Sequence, residues 1–357
     1  MKPSKKLLTL GTRALRTVHR IRSESRRLDG PIRIAMIGTG KAARYHLEAL
    51  EEIRGATVAC IVNRGGSDPS SLMERHRIPK CHVGIEKALA EGGFEVAIVA
   101  VTASSTFAVS KALMERDIHC LIEKPLGVSV EEADALRACA ARSNVTSAVA
   151  FNRRCYSSVL RAAKYVEALG HPYAIHVDSP ERLAKIRSSK DQAVLAKTRI
   201  VTNTCHSIDL LTAFAGDHEA VVSSGQAKYF DGIRTDYSGM IHFRKGQLGI
   251  FSSHWSSPGD RVVTLYGRDY RLEINLSKNI LIAAHGKKVR TFQPSGTDRA
   301  FKAGVYLQDA EFLAAALARV PVRAPLATLD EAYETQRLAH ALMGLENLQN
   351  SGGRCSP

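Results

Sequence analysis

From Ile32 onward the chain alternates short apolar runs with stretches whose apolar residues recur every three or four positions. The runs at 32–37, 58–63, 96–101, 118–123 and 147–151 are rich in Val and Ile, the composition of strands covered on both faces. Between the first two, Ala43, Leu47, Leu50 and Ile53 fall on one helical face. Between the last two, Ser129 and Glu132 have the spacing of a capping box ahead of Ala133, Leu136 and Ala140. Strand-helix repetition of this kind predicts a parallel, doubly wound α/β sheet.

After 151 the pattern changes. Leu160, Ala163, Val166 and Leu169 mark a helix ending at Gly170, a residue suited to a left-handed cap. Strand-like runs follow at 173–177, 221–229, 237–243, 248–255, 262–266, 272–274 and 280–283. Short polar or glycine-bearing links at 244–246 and 267–268 read as hairpin turns. Helical spacing returns at 305–319 and 329–347. The expectation is an α+β domain with a largely antiparallel sheet, its last helix packing back on the first domain. Three segments result: an extension over 1–30, a first domain over 31–151 and a second over 152–357. The length of 357 residues agrees, because one hydrophobic core stops growing at about 250–300.

Charge changes this picture only at one end. The net charge is +15, yet residues 1–30 hold nine Lys and Arg against Glu24 and Asp29, leaving a modest surplus of +8 on the body. Leu7, Leu8, Leu15, Val18 and Ile21 lie among those arginines near helical spacing. This arm reads as an extension docking on the body, a partner or a membrane surface, or alternatively as a mitochondrial transit segment. Without a helix-turn-helix or an aromatic-basic platform, the charge does not point to nucleic acid. No apolar run reaches the roughly 20 residues of a membrane span. Seven scattered cysteines, never as C-x-x-C, favour reduced thiols, a cytoplasmic setting and no metal site.

The first run leads directly into Gly38-Thr39-Gly40-Lys41-Ala42-Ala43, a G-x-G-x-x-A turn opening a helix. Glycines there let the backbone approach a pyrophosphate whose charge sits at the helix N-terminus, so the first sheet is expected to be a dinucleotide-binding Rossmann domain. At the end of the second run an NAD site would offer a carboxylate to the ribose, whereas this chain has Asn63-Arg64. A guanidinium there grips a 2′-phosphate, which favours NADP(H) over NAD(H); the other reading is an exposed loop arginine.

Glu123-Lys124-Pro125 narrows the field. With the Gly38–Ala43 turn, His46, Ala100-Val101-Thr102, the run 118–127, Phe151-Asn152-Arg153-Arg154 and His206-Ser207-Ile208-Asp209, the chain resembles the Gfo/Idh/MocA oxidoreductases over about 32–216. The resemblance implies an NAD(P)-dependent dehydrogenase or reductase acting on a sugar, sugar acid, nucleotide sugar or cyclitol, and a homo-oligomer. It places Thr102, Glu123 and Lys124 at the cofactor. Lys124 lies between nicotinamide ribose and substrate, where an ammonium stabilises a developing alkoxide. His206 takes the place of the family's proton acceptor or donor, with Asp209 orienting or capping one turn later.

The chain departs from the family pattern near that histidine. Thr202 stands where an aspartate commonly assists proton transfer and Thr204 where a glycine is usual; Ala103 and Phe107 replace a proline and a histidine after the third strand. Threonine is not a base, which leaves Asn203 or Lys197 to position a hydroxyl. Arg153, Arg154, Lys197 and Arg199 near the domain junction favour an anionic substrate if they face it; loop arginines are otherwise solvated. The alternative to an enzyme is a non-catalytic NADP(H)-binding sensor or scaffold.

Overall fold

In a computed structural model, residues 27–66, 68–188, 198–223, 229–230 and 233–344 are described. The expected helix within 1–26, Lys197, part of the run 221–229 and the end of 329–347 lie outside them.

The first sheet has six parallel strands: β1 (Arg27–Ile37), β2 (Arg54–Asn63), β3 (Cys81–Val83), β4 (Val96–Val99), β5 (His119–Ile122) and β6 (Ser147–Val149), in the order β3-β2-β1-β4-β5-β6. Strand order reverses between β1 and β4, the crevice where doubly wound sheets bind ligands. Helices α1 (Lys41–Leu50), α2 (Ser70–His76), α3 (Ile85–Glu91), α4 (Ala103–Met114) and α5 (Val130–Arg142) form the crossovers. α1 buries Ala43, His46, Leu47, Ala49 and Leu50, so the apolar spacing maps onto the covered face. Ser129 Oγ accepts from the Glu132 N–H at 3.2 Å, but the Glu132 carboxylate takes the Val128 N–H rather than closing the box on Ser129.

A 3₁₀ turn (Asn152–Cys155) and α6 (Ser157–Leu169) lead into β7 (Ala174–Asp178), followed by α7 (Leu183–Arg187). Gly170 caps α6 with positive φ but extended ψ (98°, 164°), so the left-handed helical cap expected there is replaced by another glycine-only conformation. A π-helical turn (Ile200–Thr204) opens α8 (Cys205–Ala215). The strands that follow are β8 (His218–Ser223), β9 (Tyr229–Phe230), β10 (Ile233–Arg234), β11 (Asp236–Phe243), β12 (Leu248–His254), β13 (Val262–Gly267), β14 (Tyr270–Asn275), β15 (Ile280–His285) and β16 (Lys288–Phe292). Apart from the small β9-β10 ribbon they join β7 in an eight-stranded sheet ordered β16-β15-β14-β13-β7-β12-β11-β8. Only β7 and β12 pair in parallel within it.

One face of this sheet is covered by α6, α8 and part of the last helix (Leu329–Leu342) over a core that includes Phe243, Phe251, Trp255, Leu265 and Leu272. The short α9 (Gly296–Ala300) precedes two longer helices. α10 (Val305–Ala318) returns to the first sheet against α1 and β1, contributing Val305, Phe312 and Leu313 to that core. α11 (Leu329–Leu342) packs between α5 and α8 and opens with a complete capping box of Thr328 and Glu331.

Candidate active site

A cleft of about 740 Å³ runs along the carboxyl ends of β1, β2 and β4. The turn Gly38 to Ala42, the segment Asn63 to Gly66, and Ala100 to Thr102 line it. Gly38 has φ +110° and a Cβ there would sit 2.2 Å from the Ala100 carbonyl oxygen, so only glycine lets the two strand ends approach. A Cβ on Gly40 would meet nothing within 4 Å, and the first turn of α1 has no side-chain cap. The backbone therefore presents helix N-terminal amides to open space, and Ala43, fully buried, lets α1 lie close on the sheet. This donor set fits a dinucleotide pyrophosphate. None of the described residues lining the cleft is acidic. Asn63 Oδ1 accepts the Gly65 N–H at 3.0 Å, an Asx turn that carries the exposed Arg64 at the lip.

Glu123 and Lys124, expected at the cofactor, follow β5 and are not among the described residues that line this cleft. Glu123 meets His46 Nε2 at 3.3 Å, and His46 Nδ1 meets Asp309 of α10 at 2.8 Å. His46 and Asp309 are fully buried. Burial by itself opposes a charged His46, yet the two flanking carboxylates outweigh it and push the imidazole up to about 10. Burial likewise opposes ionisation of Glu123, but the bond to His46 and the adjacent Lys124 charge hold its carboxyl below the ordinary range.

Lys124 Nζ donates to the carbonyl oxygen of Thr202 at 2.7 Å. Thr202 sits in the π-helical turn and its hydroxyl donates to Thr198 O at 3.0 Å. It therefore meets Lys124 through its backbone, and its side chain supplies no base. His206 follows in the first turn of α8, edge-on to Phe151 with ring centroids 5.7 Å apart. Its pKa is depressed well below 6.5, first by burial and then by the charges of Lys124, Arg153, Lys302 and Arg261. The ring is thus neutral. Nδ1 is enclosed with no hydrogen-bond partner among the described residues, which leaves Nε2 as the nitrogen able to exchange a proton with a substrate.

The residues expected around the substrate separate into two groups. Arg154 is 5% exposed and forms a bidentate pair with the buried Asp209, with Glu331 on its remaining edge. That pair ties the 3₁₀ turn to α8 and α11 and withdraws Arg154 from any substrate; Asp209 accordingly orients Arg154 rather than His206. Arg153 instead donates to Ser207 Oγ at 2.7 Å, next to His206. Asn203 donates its side-chain amide to Glu181 rather than to open space.

Glu181, just after β7, escaped the sequence reading. Its carboxylate has no exposed surface and gathers Arg199 at 2.8 Å, Arg261 at 2.9 Å and Thr204 Oγ1 at 2.9 Å besides Asn203. Burial opposes its charge, and the two guanidiniums more than restore it, holding the carboxyl low. No local motif announces such a hub, because its partners are 18 to 80 positions away in the chain.

Among known proteins, residues 32–151 match the GFO_IDH_MocA family model, described as an oxidoreductase family with an NAD-binding Rossmann fold. The chain is 24% identical over 255 residues to D-xylose 1-dehydrogenase (NADP(+)) 2 of Haloferax volcanii, covering 68% of this chain and 78% of that one. It is 27% identical over 187 residues to UDP-N-acetylglucosamine 3-dehydrogenase of Acidithiobacillus ferrooxidans, covering 52% and 55%. Levoglucosan dehydrogenase, solved with NADH and levoglucosan, superposes with a TM-score of 0.78 at 16% identity over 88% of this chain and 97% of that one. Among the described residues no helix is long and apolar enough to cross a membrane. A glycine turn at the switch point of a parallel sheet, a Glu-Lys-Pro strand end and a second, mostly antiparallel sheet thus accompany the match: residues 32–151 form the NAD-binding Rossmann domain of the Gfo/Idh/MocA oxidoreductase family, in a chain similar to named dehydrogenases.

Proposed function

We propose that the protein transfers hydride between a nicotinamide dinucleotide in the 740 Å³ cleft and a carbinol or ketone carbon of a polyhydroxylated substrate, with Lys124 and His206 at the reacting atoms. The observation carrying this reading is that two side chains from different parts of the fold are brought into one electrostatic neighbourhood. Lys124 is fastened to Thr202 O, four residues before His206, and its charge bears on the imidazole. Bound in the cleft, the nicotinamide would supply the hydride acceptor or donor. The Lys124 ammonium places positive charge where an alkoxide develops. His206, neutral at Nε2, takes the hydroxyl proton in oxidation and returns it in reduction.

NADP(H) is the preferred form on this reading. Its support is Arg64 at the lip of a cleft with no carboxylate among the described residues that line it, together with the NADP(+) named for the xylose relative. The xylose and UDP-N-acetylglucosamine relatives support a sugar or nucleotide sugar as substrate, within a range that on this reading extends to sugar acids and cyclitols. Of the seven cysteines, the six among the described residues are unpaired, which suits the cytoplasm, and Val222, Met240 and Ile282, exposed on strands of the eight-stranded sheet, suit a homo-oligomer.

The test is a panel of sugars, sugar acids, nucleotide sugars and cyclitols with both nicotinamides, followed by absorbance of the reduced form. Lys124→Ala is expected to lower kcat at least about 100-fold while cofactor affinity changes little. Full activity in that variant overturns the assignment. A second reading, a non-catalytic NADP(H) sensor, draws on Thr202, whose hydroxyl is turned to Thr198 O where the family pattern has a carboxylate. Tight NADPH binding with no turnover across the panel selects it.

A further inference from the structure

We infer that the substrate carries an anionic group, a carboxylate or a phosphate, received by Arg153 and Arg261 beside His206. The inference rests on the hydride-transfer reading and adds the charge of the substrate to it.

The argument is a matching of charges. Of the basic residues near the second-domain entrance, Arg154 is neutralised by Asp209 and Glu331, and Arg199 by Glu181. Arg153 is different. Its hydrogen bond goes to Ser207 Oγ, a neutral group that also accepts from Ser179 Oγ at 2.9 Å, and no carboxylate pairs with it among the described residues. Arg261 has one Nη on Glu181 at 2.9 Å, but that carboxylate is already shared with Arg199, and Arg261 Nε is enclosed without a partner.

The surroundings make this imbalance costly. Burial and the neighbouring Arg261 charge disfavour the cationic form of Arg153, and Lys124, Arg153, Lys302 and Arg261 all bear on His206. Glu181 is the carboxylate facing this group, and its oxygens are occupied by Arg199, Arg261, Asn203 and Thr204. Half-buried guanidiniums with too little counter-charge gain from an anion, and a planar carboxylate or a phosphate matches their fork of N–H donors. A neutral polyol would leave Arg153 without a carboxylate and Arg261 with only its share of Glu181. An anion seated there would also lie one residue from His206, fixing the carbinol against the base and the hydride path.

The experiment is calorimetric titration of the NADPH-loaded protein with D-glucose, D-glucuronate and D-glucose 6-phosphate at low and high salt. At least one anion is expected to bind ten or more times tighter than D-glucose, with the advantage shrinking as salt rises; the two anions separate carboxylate from phosphate. Arg153→Gln should weaken the anion about 10- to 100-fold, the worth of one charge-assisted hydrogen bond, and D-glucose less than threefold. Arg153→Lys should recover part of the loss; its recovery, with unchanged NADPH affinity, separates a binding defect from misfolding. If neither anion outbinds D-glucose, or if both Arg153→Gln and Arg261→Gln leave anion affinity intact, the inference fails. Turnover of the same three compounds is recorded with NADP+ and NAD+ as hydride acceptors: anion binding without turnover defeats hydride transfer alone, and turnover confined to neutral compounds defeats the anion seat alone.

Discussion

His206 and His46 are two imidazoles driven in opposite directions. Burial and four cations keep His206 neutral, with its pKa well below 6.5. A base of that kind is lost only when acid reaches the depressed pKa, so kcat/KM for oxidation should hold level through pH 6.5 and fall on the acid side of it; a limb at 6.5 or above removes His206 from the base role. His46, between Asp309 and Glu123, is pushed up to about 10. A raised folded pKa adds stability that is complete below the unfolded value of about 6.5 and is lost as pH climbs through 10. Chemical unfolding between pH 6.5 and 10 should therefore show declining stability, and His46→Gln should flatten the decline. An unchanged slope would deny the charged His46. Leaving either partner of the buried pair alone costs about 3–5 kcal/mol, so Asp309→Asn is expected to destabilise the fold on that scale.

At the level of elements, the crossing of β1 into α1 is where conformation is least replaceable. Gly38→Ala places a methyl 2.2 Å from Ala100 O at φ +110°, so stability should drop by about 1–3 kcal/mol and NADPH affinity with it. Normal nucleotide affinity in that variant would show that the turn has freedom this geometry denies. The elements legible from sequence are those with long apolar periodicity: the five main strands of the first sheet, α1, α5, and most of the second sheet. Those missed are short or weakly patterned. β3 is three residues at an edge, α2 buries only Leu72, and all but the last residue of β16 are exposed, so none carries a readable pattern. The candidate site was legible where neighbours in sequence share a task, as in Gly38 to Ala43 and Glu123-Lys124. It was illegible where tertiary pairing decides. Arg153 and Arg154 are adjacent and identical in type, yet one is taken by Asp209 and the other by Ser207. Asp309 reaches His46 across 263 positions, a distance over which spacing carries no signal.

For the whole molecule, binding energy becomes visible as stability. A dinucleotide at a hundred times its Kd adds about 2.7 kcal/mol to unfolding, through linkage alone. At equal concentration NADP+ should therefore raise the Tm more than NAD+, and Arg64→Ala should erase the difference; equal shifts in the unaltered protein would refute the preference. The arginine at the cleft lip is exposed, so its replacement leaves the core untouched and the comparison is free of a folding defect.

The return of α10 onto β1 and α1 has a consequence in time. Residues 32–151 contain every strand of the nucleotide-binding layer beyond the start of β1, but Phe312, Leu313 and the counter-ion of His46 come from 305–318. During synthesis on the ribosome, the part of the chain that emerges first thus waits for more than 150 further residues before its outer face is covered. Its buried histidine has no Asp309 until then. The order of translation and the order of completion run in opposite senses, and the half that grips the nucleotide is among the last to be finished.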